Sequence, residues 1–487
     1  MNYKMMGRLN SLILTLTAVC MLPPLFISLY YGESASVKGF LLSIGIVLLV
    51  AGALALVSRN AKKDFFAREG IVCVGVSWVL MSALSCLPLV ISGAVPNYFD
   101  ALFEMVSGFT TTGASIIRDL SVIPKGIIYW RSFSHWFGGM GVLVFLLAIV
   151  PVGGKNEGFT MHLLRAESPG PDVGKIVPKM KQTTFLLYAI YIVLSVLCLI
   201  FLLVGRMPVF DAFCIMFGTA GTGGFGILND SLASYSPYIQ WVVTVFMLLF
   251  GINFSCYYLM ILRKFKSVIK DEELRLYVSA VLISIVLIVI NLAMSADFGD
   301  MPLSDTIRHA AFHVSSVITT TGYSISDYNL WPAFSKTVIL ILMFIGASAG
   351  STGGGFKCAR ILLLIKSVRR NLSQILRPQK VKVIRVNDKV VSEKLISNTA
   401  TYFVIWAAIF VGSILLISLD GFSVETNVSA VLACFNNIGP GLGSVGPASN
   451  FADYSIFSKV ILSVVMLAGR LEIFPILLLF KAEAWKR

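Results

Sequence analysis

Long apolar runs recur through the whole sequence and restrict its fold more than any other feature. Ten of them come close to or exceed the roughly 20 mainly apolar residues that a helix needs to cross a bilayer. Only 13% of the 487 residues are charged, whereas a soluble globular protein has about 25%. The surface of the folded chain must therefore face lipid, and we expect an all-α membrane protein with ten transmembrane helices. The ten runs are residues 11–31, 39–58, 70–92, 130–152, 183–204, 238–262, 276–296, 333–365, 396–419 and 456–480.

The net charge of +14 is distributed in a way that predicts orientation. Basic clusters follow the second, fourth, sixth and eighth apolar runs, and cytoplasmic links of membrane proteins carry an excess of Lys and Arg. We therefore expect these links and both termini in the cytoplasm. A nucleic-acid partner is not expected, since a basic patch needs a soluble face to display it. The opposite links are acidic, which would either concentrate cations at a pore mouth or reflect only that the orientation rule counts Lys and Arg.

Four outer links each contain a moderately apolar stretch that is too short to span a bilayer and ends in a glycine turn. The distance from phenylalanine to glycine is the same in the first three, and the first and third both end in Thr-Thr-Thr-Gly. An internal repeat of roughly 100 residues is therefore visible, longer than the common solenoid repeats. One such turn is a weak signal, but four on the same side are a strong one. The stretches are Phe103–Gly113, Phe213–Gly223, Phe312–Gly322 and Ala430–Gly439.

Each unit of the repeat consists of a span, a half-helix, a glycine turn and a second span. Non-helical backbone at membrane depth is tolerated only where it is buried in protein or lines a water-filled cavity. Four such turns around a pseudo-fourfold axis would form re-entrant pore loops whose carbonyl oxygens replace the hydration shell of an ion. Glycine permits the backbone angles that aim successive carbonyls the same way. The repeat predicts two accessory helices in residues 1–69 and pore units in 70–155, 156–265, 266–385 and 386–487.

A cluster of glycines interrupts the eighth apolar run. Glycine in a helix interior costs about 1 kcal/mol relative to alanine, so we expect the helix to open within residues 346–355, here called the glycine segment. A phosphate-binding loop would need adjacent Gly and Lys, and Phe356 separates Gly355 from Lys357. A plain helix break remains an alternative to a functional loop. The glycines are Gly346, Gly350, Gly353, Gly354 and Gly355.

Arg470 lies inside the last apolar run, where a charge must be paired or face water and indicates a functional site. A salt bridge to Glu472 is the alternative, but residues two apart on a helix do not face each other. Two other classes of function stay open at this point. A symporter would need a second ion site or a titrating group within the spans, for which Glu104 and Arg470 are weak candidates. A membrane-embedded enzyme would need a catalytic constellation, which the sequence lacks.

With these features the chain resembles the Trk/Ktr/HKT superfamily of potassium transporters, and within it the bacterial TrkH-type subunits. The resemblance covers essentially the whole chain, and the extra spans within residues 11–58 fit the TrkH type better than the shorter KtrB type. The segment Trp130–Gly141 also looks like the second span of that family's first unit. All four selectivity positions are glycine here, which favours potassium, since sodium-preferring plant members have Ser at the first. The filter residues that the resemblance implies are Thr111, Thr112, Gly113, Gly221, Thr222, Gly223, Thr320, Thr321, Gly322, Asn437, Ile438 and Gly439.

The resemblance also implies how the pore is gated and what it assembles with. The glycine segment would be a movable loop that obstructs the pore under the filter, with Arg470 facing the pore and contacting that loop. The protein would be a homodimer in the bacterial inner membrane, bound on its basic inner loops by a cytoplasmic nucleotide-binding subunit of TrkA type. Potassium would be the transported ion, with no organic cofactor and no enzymatic activity in this chain. The fourth turn, Asn-Asn-Ile-Gly, departs from the pattern of the other three.

Overall fold

The chain is helical in nearly every part that is described, which confirms the predicted class. The structure is a computed structural model. Within its described residues the only strands form one antiparallel hairpin, β1 (Arg385–Val386) and β2 (Lys389–Val390). The residues described are 1–59, 61, 66–139, 141, 180–379 and 382–485.

Proline divides the early apolar runs into a long helix and a short continuation. Pro23 lies in the first turn of α2 and Pro88 in the first turn of α5. Proline has no N–H to donate and fits a helix only at its first turn, so α1 ends at Cys20 and α4 at Ser85. The helices before the largest gap are α1 (Tyr3–Cys20), α2 (Leu22–Tyr30), α3 (Ser34–Val57), α4 (Ala67–Ser85), α5 (Leu87–Ile91), α6 (Tyr98–Phe109) and α7 (Lys125–Gly139).

The central part of the chain continues with seven helices. Three 3₁₀ turns occur later in the chain, at Tyr328–Leu330, Ser418–Asp420 and Gly443–Val445. These helices are α8 (Met180–Val204), α9 (Val209–Gly221), α10 (Pro237–Phe250), α11 (Phe254–Ile261), α12 (Phe265–Ile269), α13 (Glu272–Ala293) and α14 (Leu303–Ile318). The last seven are α15 (Ala333–Ile345), α16 (Cys358–Leu376), α17 (Glu393–Ile417), α18 (Val424–Phe435), α19 (Ile456–Arg470), α20 (Phe474–Phe480) and α21 (Ala482–Trp485).

Six helical stretches in the described part of the chain are long and apolar enough to cross a membrane, and α10 with α11, bent by 88°, counts as a seventh if taken as one span. They account for seven of the ten predicted runs. The run 130–152 lies partly outside the described residues. The runs 333–365 and 456–480 are each divided into two helices. The six stretches are Tyr3–Tyr30, Ser34–Val57, Arg68–Ile91, Phe185–Val204, Glu272–Ala293 and Glu393–Asp420.

The long helices surround four short ones, α6, α9, α14 and α18, whose C-terminal halves are buried on every face. The long helices instead expose large apolar side chains; in α3, for example, Leu49 and Leu56 are each 74% exposed. A helix that is apolar all round belongs in lipid or a large core. Each short helix has an acidic residue in its first turn, where a negative charge is favourable. These residues are Asp100, Asp211, Asp305 and Glu425.

The glycine segment separates α15 from α16, which is where the sequence predicts an open helix. Gly346, Gly350 and Gly355 have φ angles of 71°, 68° and 84°, a backbone region that residues other than glycine rarely adopt. Lys357 follows with φ of 80°, and its Nζ donates to the carbonyl of Gly353. The segment is therefore a defined loop, and it is buried except at Gly350 and Gly355.

Glycines within α3 provide a test of helix packing. A Cβ on Gly39 would lie 3.0 Å from the carbonyl oxygen of Pro88, whereas a Cβ on Gly45 would meet no atom within 4 Å. We expect Gly39→Leu to separate α3 from α5 and destabilise the protein by about 1–3 kcal/mol, the usual range for overpacking. The midpoint of thermal unfolding in detergent should fall for Gly39→Leu and hold for the control Gly45→Leu. Equal midpoints would contradict this packing.

Candidate functional site

The four short helices end in turns that share one backbone conformation. The turns are Thr110–Gly113, Gly221–Gly224, Thr319–Gly322 and Asn436–Gly439. In each, the second residue is left-handed although it is not glycine, and the third donates its N–H to the carbonyl five residues earlier at 2.8 Å. The fourth is a glycine with positive φ. Non-glycine residues persist in the left-handed region only where the surroundings enforce it, often at functional sites. The φ angles are 56°, 55°, 58° and 55° for Thr111, Thr222, Thr320 and Asn437, and 81°, 74°, 85° and 99° for Gly113, Gly224, Gly322 and Gly439.

The second turn is one residue out of register with the prediction. The spacing from Phe213 aligned Gly223 with Gly113, with Gly221 and Thr222 before it, but the backbone aligns Gly224 with Gly113 and puts Thr222 and Gly223 before it. The reason lies in the helix. Cys214 is fully buried as Phe103 is, whereas Phe213 is 36% exposed, so the buried position of the repeat falls on Cys214.

The four turns contact one another in cyclic order. A Cβ on Gly113 would overlap the carbonyl oxygen of Gly223, the residue before the next turn's glycine. The same relation joins Gly224 to Thr321, Gly322 to Ile438 and Gly439 to Thr112. The turns therefore close into a ring, and each ring glycine is required both by its φ angle and by the adjacent carbonyl.

The fourth turn differs in sequence. Its left-handed residue is Asn437, whereas the other three turns have threonine at that position, and the longer amide side chain makes additional contacts. Asparagine tolerates the left-handed conformation better than most residues. The Nδ2 of Asn437 also donates to Thr112 Oγ1 and to the carbonyl of Met466, both at 3.0 Å. It thus connects the fourth turn to the first turn and to α19.

A cavity of about 170 Å³ lies against one side of the ring, enough for several waters at about 30 Å³ each. Its lining includes all four ring glycines, Gly113, Gly224, Gly322 and Gly439, together with residues C-terminal to them. The ring therefore opens onto a polar cavity. Because glycine has no side chain, the backbone of the ring glycines is directly accessible from this cavity.

The glycine segment contacts residues that precede the ring glycines. The N–H of Gly354 donates to Thr320 Oγ1 at 2.6 Å, and a Cβ on Gly353 would lie 2.8 Å from the carbonyl oxygen of Thr319. The cavity instead contacts the ring glycines and residues C-terminal to them. The ring therefore lies between the cavity and the segment.

Arg470 is buried beside the same segment. Its Nη1 donates to the carbonyl of Thr352 at 2.8 Å, and its Nη2 donates to the carbonyls of Gly138 and Gly139, both at 2.6 Å. Glu472 instead forms an ion pair with Arg360, the third residue of α16. Arg470 therefore bridges the glycine segment and the C-terminal end of α7.

Comparisons with known proteins agree with this architecture. Residues 39–486 match the family model described as TrkH, cation transport protein. The chain is 34% identical over 491 residues to the Trk system potassium uptake protein TrkH of Salmonella typhimurium, covering 100% of both chains. It is 32% identical to the Trk system potassium uptake protein TrkG of Escherichia coli, covering 97% of this chain and 96% of that one. The crystal structure of the potassium transporter TrkH from Vibrio parahaemolyticus superposes with a TM-score of 0.86 at 30% identity, over 100% of both chains.

The register of the second turn can be tested with two glycines that lie two residues apart. Gly224→Ala would drive a Cβ into the carbonyl of Thr321 at positive φ, whereas a Cβ on Gly226 would come no closer than 3.0 Å to another atom. Strain in such backbone is of order 1–3 kcal/mol. We expect Gly224→Ala to lower the thermal unfolding midpoint clearly more than Gly226→Ala. The reverse order would disprove the assigned register.

Proposed function

Because this multi-pass membrane protein belongs to the TrkH family of cation transport proteins, we propose that it takes up potassium by channel-like conduction through the ring of four turns. The closed ring of carbonyl-bearing turns is the observation that carries this proposal. Rings of backbone carbonyls replace the hydration shell of a potassium ion. The ring residues carry no formal charge, so selection would depend on carbonyl dipoles and ring geometry.

The short helices support the same function electrostatically. Each of α6, α9, α14 and α18 ends at its turn, so four C-terminal ends converge on the ring. The C-terminal end of a helix carries a partial charge of roughly −0.5, which favours a cation without binding it permanently. The corrected register revises the proposed filter at the second turn to Thr222, Gly223 and Gly224, and Gly221 leaves it. The other three turns keep their predicted residues.

The proposed architecture is ten spans with four re-entrant pore loops around a pseudo-fourfold axis. The membrane potential would drive uptake, since about 2.3 kcal/mol per charge is available at 100 mV. The alternative, a potassium symporter coupled to protons or sodium, needs a second site. Its two candidates are engaged elsewhere: Glu104 pairs with Arg131, and Arg470 donates to backbone carbonyls. Both observations favour the channel-like mechanism.

The glycine segment is proposed as the gate. It packs against the third turn through Gly354 and is attached to Arg470 through Thr352. A buried cation beside the conduction path would also slow cations. Releasing the segment would then both clear the path and change the position of that charge.

The partners and location are proposed from the relatives and from the basic links. The relatives are described as parts of a Trk system, which fits a homodimer with a cytoplasmic nucleotide-binding subunit of TrkA type in the bacterial inner membrane. Arg369, Arg370 and Arg377 lie in or just after α16, on a link assigned to the cytoplasm with both termini. The basic link after the fourth run, 153–182, lies almost entirely outside the described residues.

The filter is tested by Gly113→Ser. A side chain there would strain the φ of 81° and overlap the carbonyl of Gly223. With strain of order 1–3 kcal/mol, we expect discrimination of potassium over sodium to fall about tenfold, which corresponds to about 1.4 kcal/mol. Uptake of each ion into proteoliposomes under an imposed voltage measures the ratio. Gly421→Ser is the matched control, because Gly421 also has positive φ, 78°, but no neighbour within 4 Å of its Cβ. Unchanged discrimination in Gly113→Ser would contradict the filter.

The gate is tested by deleting residues 348–352, which shortens the segment and removes the carbonyl of Thr352, one of the three acceptors of Arg470. Hydrogen bonds to charged groups contribute about 1.5–3 kcal/mol, so loss of one should raise basal potassium flux about tenfold. The flux is measured in proteoliposomes without a partner subunit. Potassium over sodium discrimination serves as the control, since the ring is unaltered. A flux no higher than that of the unmodified protein would refute the gate.

A further inference from the structure

A fully buried ion pair lies behind the first turn. Glu104 on α6 and Arg131 on α7 are 0% and 1% exposed in their side chains. Arg131 Nε donates to Glu104 Oε1 at 2.7 Å, and its Nη2 lies 2.5 Å from the same oxygen. A buried ion pair adds little net stability, because desolvation offsets most of the attraction, so its presence here calls for another role.

Glu104 holds the segment after the first ring glycine. Ser115 Oγ donates to Oε1 at 3.0 Å, and the N–H of Ile116 donates to Oε2 at 2.9 Å. Arg131 Nη2 donates to Ser115 Oγ at 3.2 Å. The carbonyl of Ser115 accepts from the N–H of Phe451 at 2.8 Å. The backbone two and three residues after Gly113 is therefore fixed on several sides.

The same face of α7 also holds the second turn. The guanidinium carbon of Arg131 lies 4.2 Å from the ring centroid of Phe225, the residue after Gly224. His135, one helical turn later on α7, accepts at Nε2 from the Phe225 N–H at 3.3 Å, while its Nδ1 lies 2.8 Å from the Gly108 carbonyl oxygen. Arg131 thus connects the residues that follow the ring glycines of two adjacent turns, Ser115 after Gly113 and Phe225 after Gly224. The ion pair of Arg131 with Glu104 is here called the brace.

The brace belongs to the first unit alone. The residue nine positions before the ring glycine is Glu104 in the first unit, but Ile215, His313 and Ala430 in the others. His313 contacts Ser326 Oγ at 3.0 Å, so a histidine–serine contact serves the third turn. The fold of a turn therefore does not require a carboxylate at this position.

We propose that Glu104 and Arg131 are positioning residues that set the spacing of the first and second turns, and through it the discrimination between potassium and sodium. This inference rests on the proposed function of the ring. The hydrogen bonds of the two side chains go to each other, to Ser115 and to Ile116 rather than to the ring carbonyls, and as a pair they add no net charge. Their effect passes through Ser115, Ile116 and Phe225, which continue the backbone from Gly113 and Gly224.

Three variants separate position from charge. Glu104→Gln keeps the size of the side chain but leaves Arg131 without its counter-charge. The double variant Glu104→Gln with Arg131→Met restores charge balance without the brace. Ser115→Ala removes the shared hydroxyl and touches neither charge, which keeps the test valid if a buried-charge variant does not fold. Asp100→Asn is the matched control: Asp100 lies on the same helix, and its carboxylate accepts from Lys459 Nζ at 2.7 Å rather than from Ser115.

The experiment measures potassium and sodium uptake into proteoliposomes, with the thermal midpoint of each variant in detergent. We expect discrimination to fall about tenfold in Glu104→Gln and in the double variant, and severalfold in Ser115→Ala. Asp100→Asn should keep it within about twofold even where its midpoint falls. Lower midpoints with unchanged discrimination in all three variants would reduce the pair to a structural role and overturn the inference.

Two further results would also overturn it. Full recovery of discrimination in the double variant would mean that charge balance, not position, is what matters. Loss in Glu104→Gln of a dependence of uptake on a proton gradient would make Glu104 a coupling group. Uptake by the unmodified protein separates this inference from the proposed function. If the unmodified protein passes no potassium, the assignment of the ring as the filter fails. If its uptake is selective and Glu104→Gln is equally selective, only the positioning role fails.

Discussion

The close approach of each ring glycine to a carbonyl of the neighbouring turn is the contact on which the rest of the structure depends. It can form only if four short helices end at the same depth and each turn contains both a left-handed residue and a glycine. Such backbone is strained and persists only under external constraint. The long apolar helices supply that constraint by burying the C-terminal halves of α6, α9, α14 and α18, and the bilayer in turn sets the length of those long helices.

Much of this architecture is predictable from the sequence, because bilayer thickness and glycine geometry act locally. The long spans follow from apolar length, and the break between α15 and α16 follows from the five glycines of the glycine segment. The register of the second turn is different. Phe213 and Cys214 are adjacent apolar residues, and only packing decides which one is buried. Arg131 gives no signal either, because its partner Glu104 is 27 residues away and is brought near by the fold.

The ring is nearly symmetric, whereas its supports are not. Identical carbonyl geometry demands nearly identical backbone in four turns, but the groups behind the turns need only hold them in place. The first turn is held by an ion pair, the third by a histidine and a serine, and the fourth by the amide of Asn437. Along the chain, the glycine segment follows the third turn and Arg470 follows the fourth. Asymmetric supports of this kind are compatible with one backbone geometry shared by all four turns.

The cyclic contacts among the four turns also have a genetic consequence. In a ring assembled from four identical chains, one codon change alters every quarter of the ring at once. Here all four turns are encoded separately within one reading frame, so one codon change alters a single quarter and leaves three intact. Each turn can therefore accumulate its own substitutions, and a ring with one unusual quarter, such as the Asn-Asn-Ile-Gly turn, can be reached while the other three quarters stay unchanged.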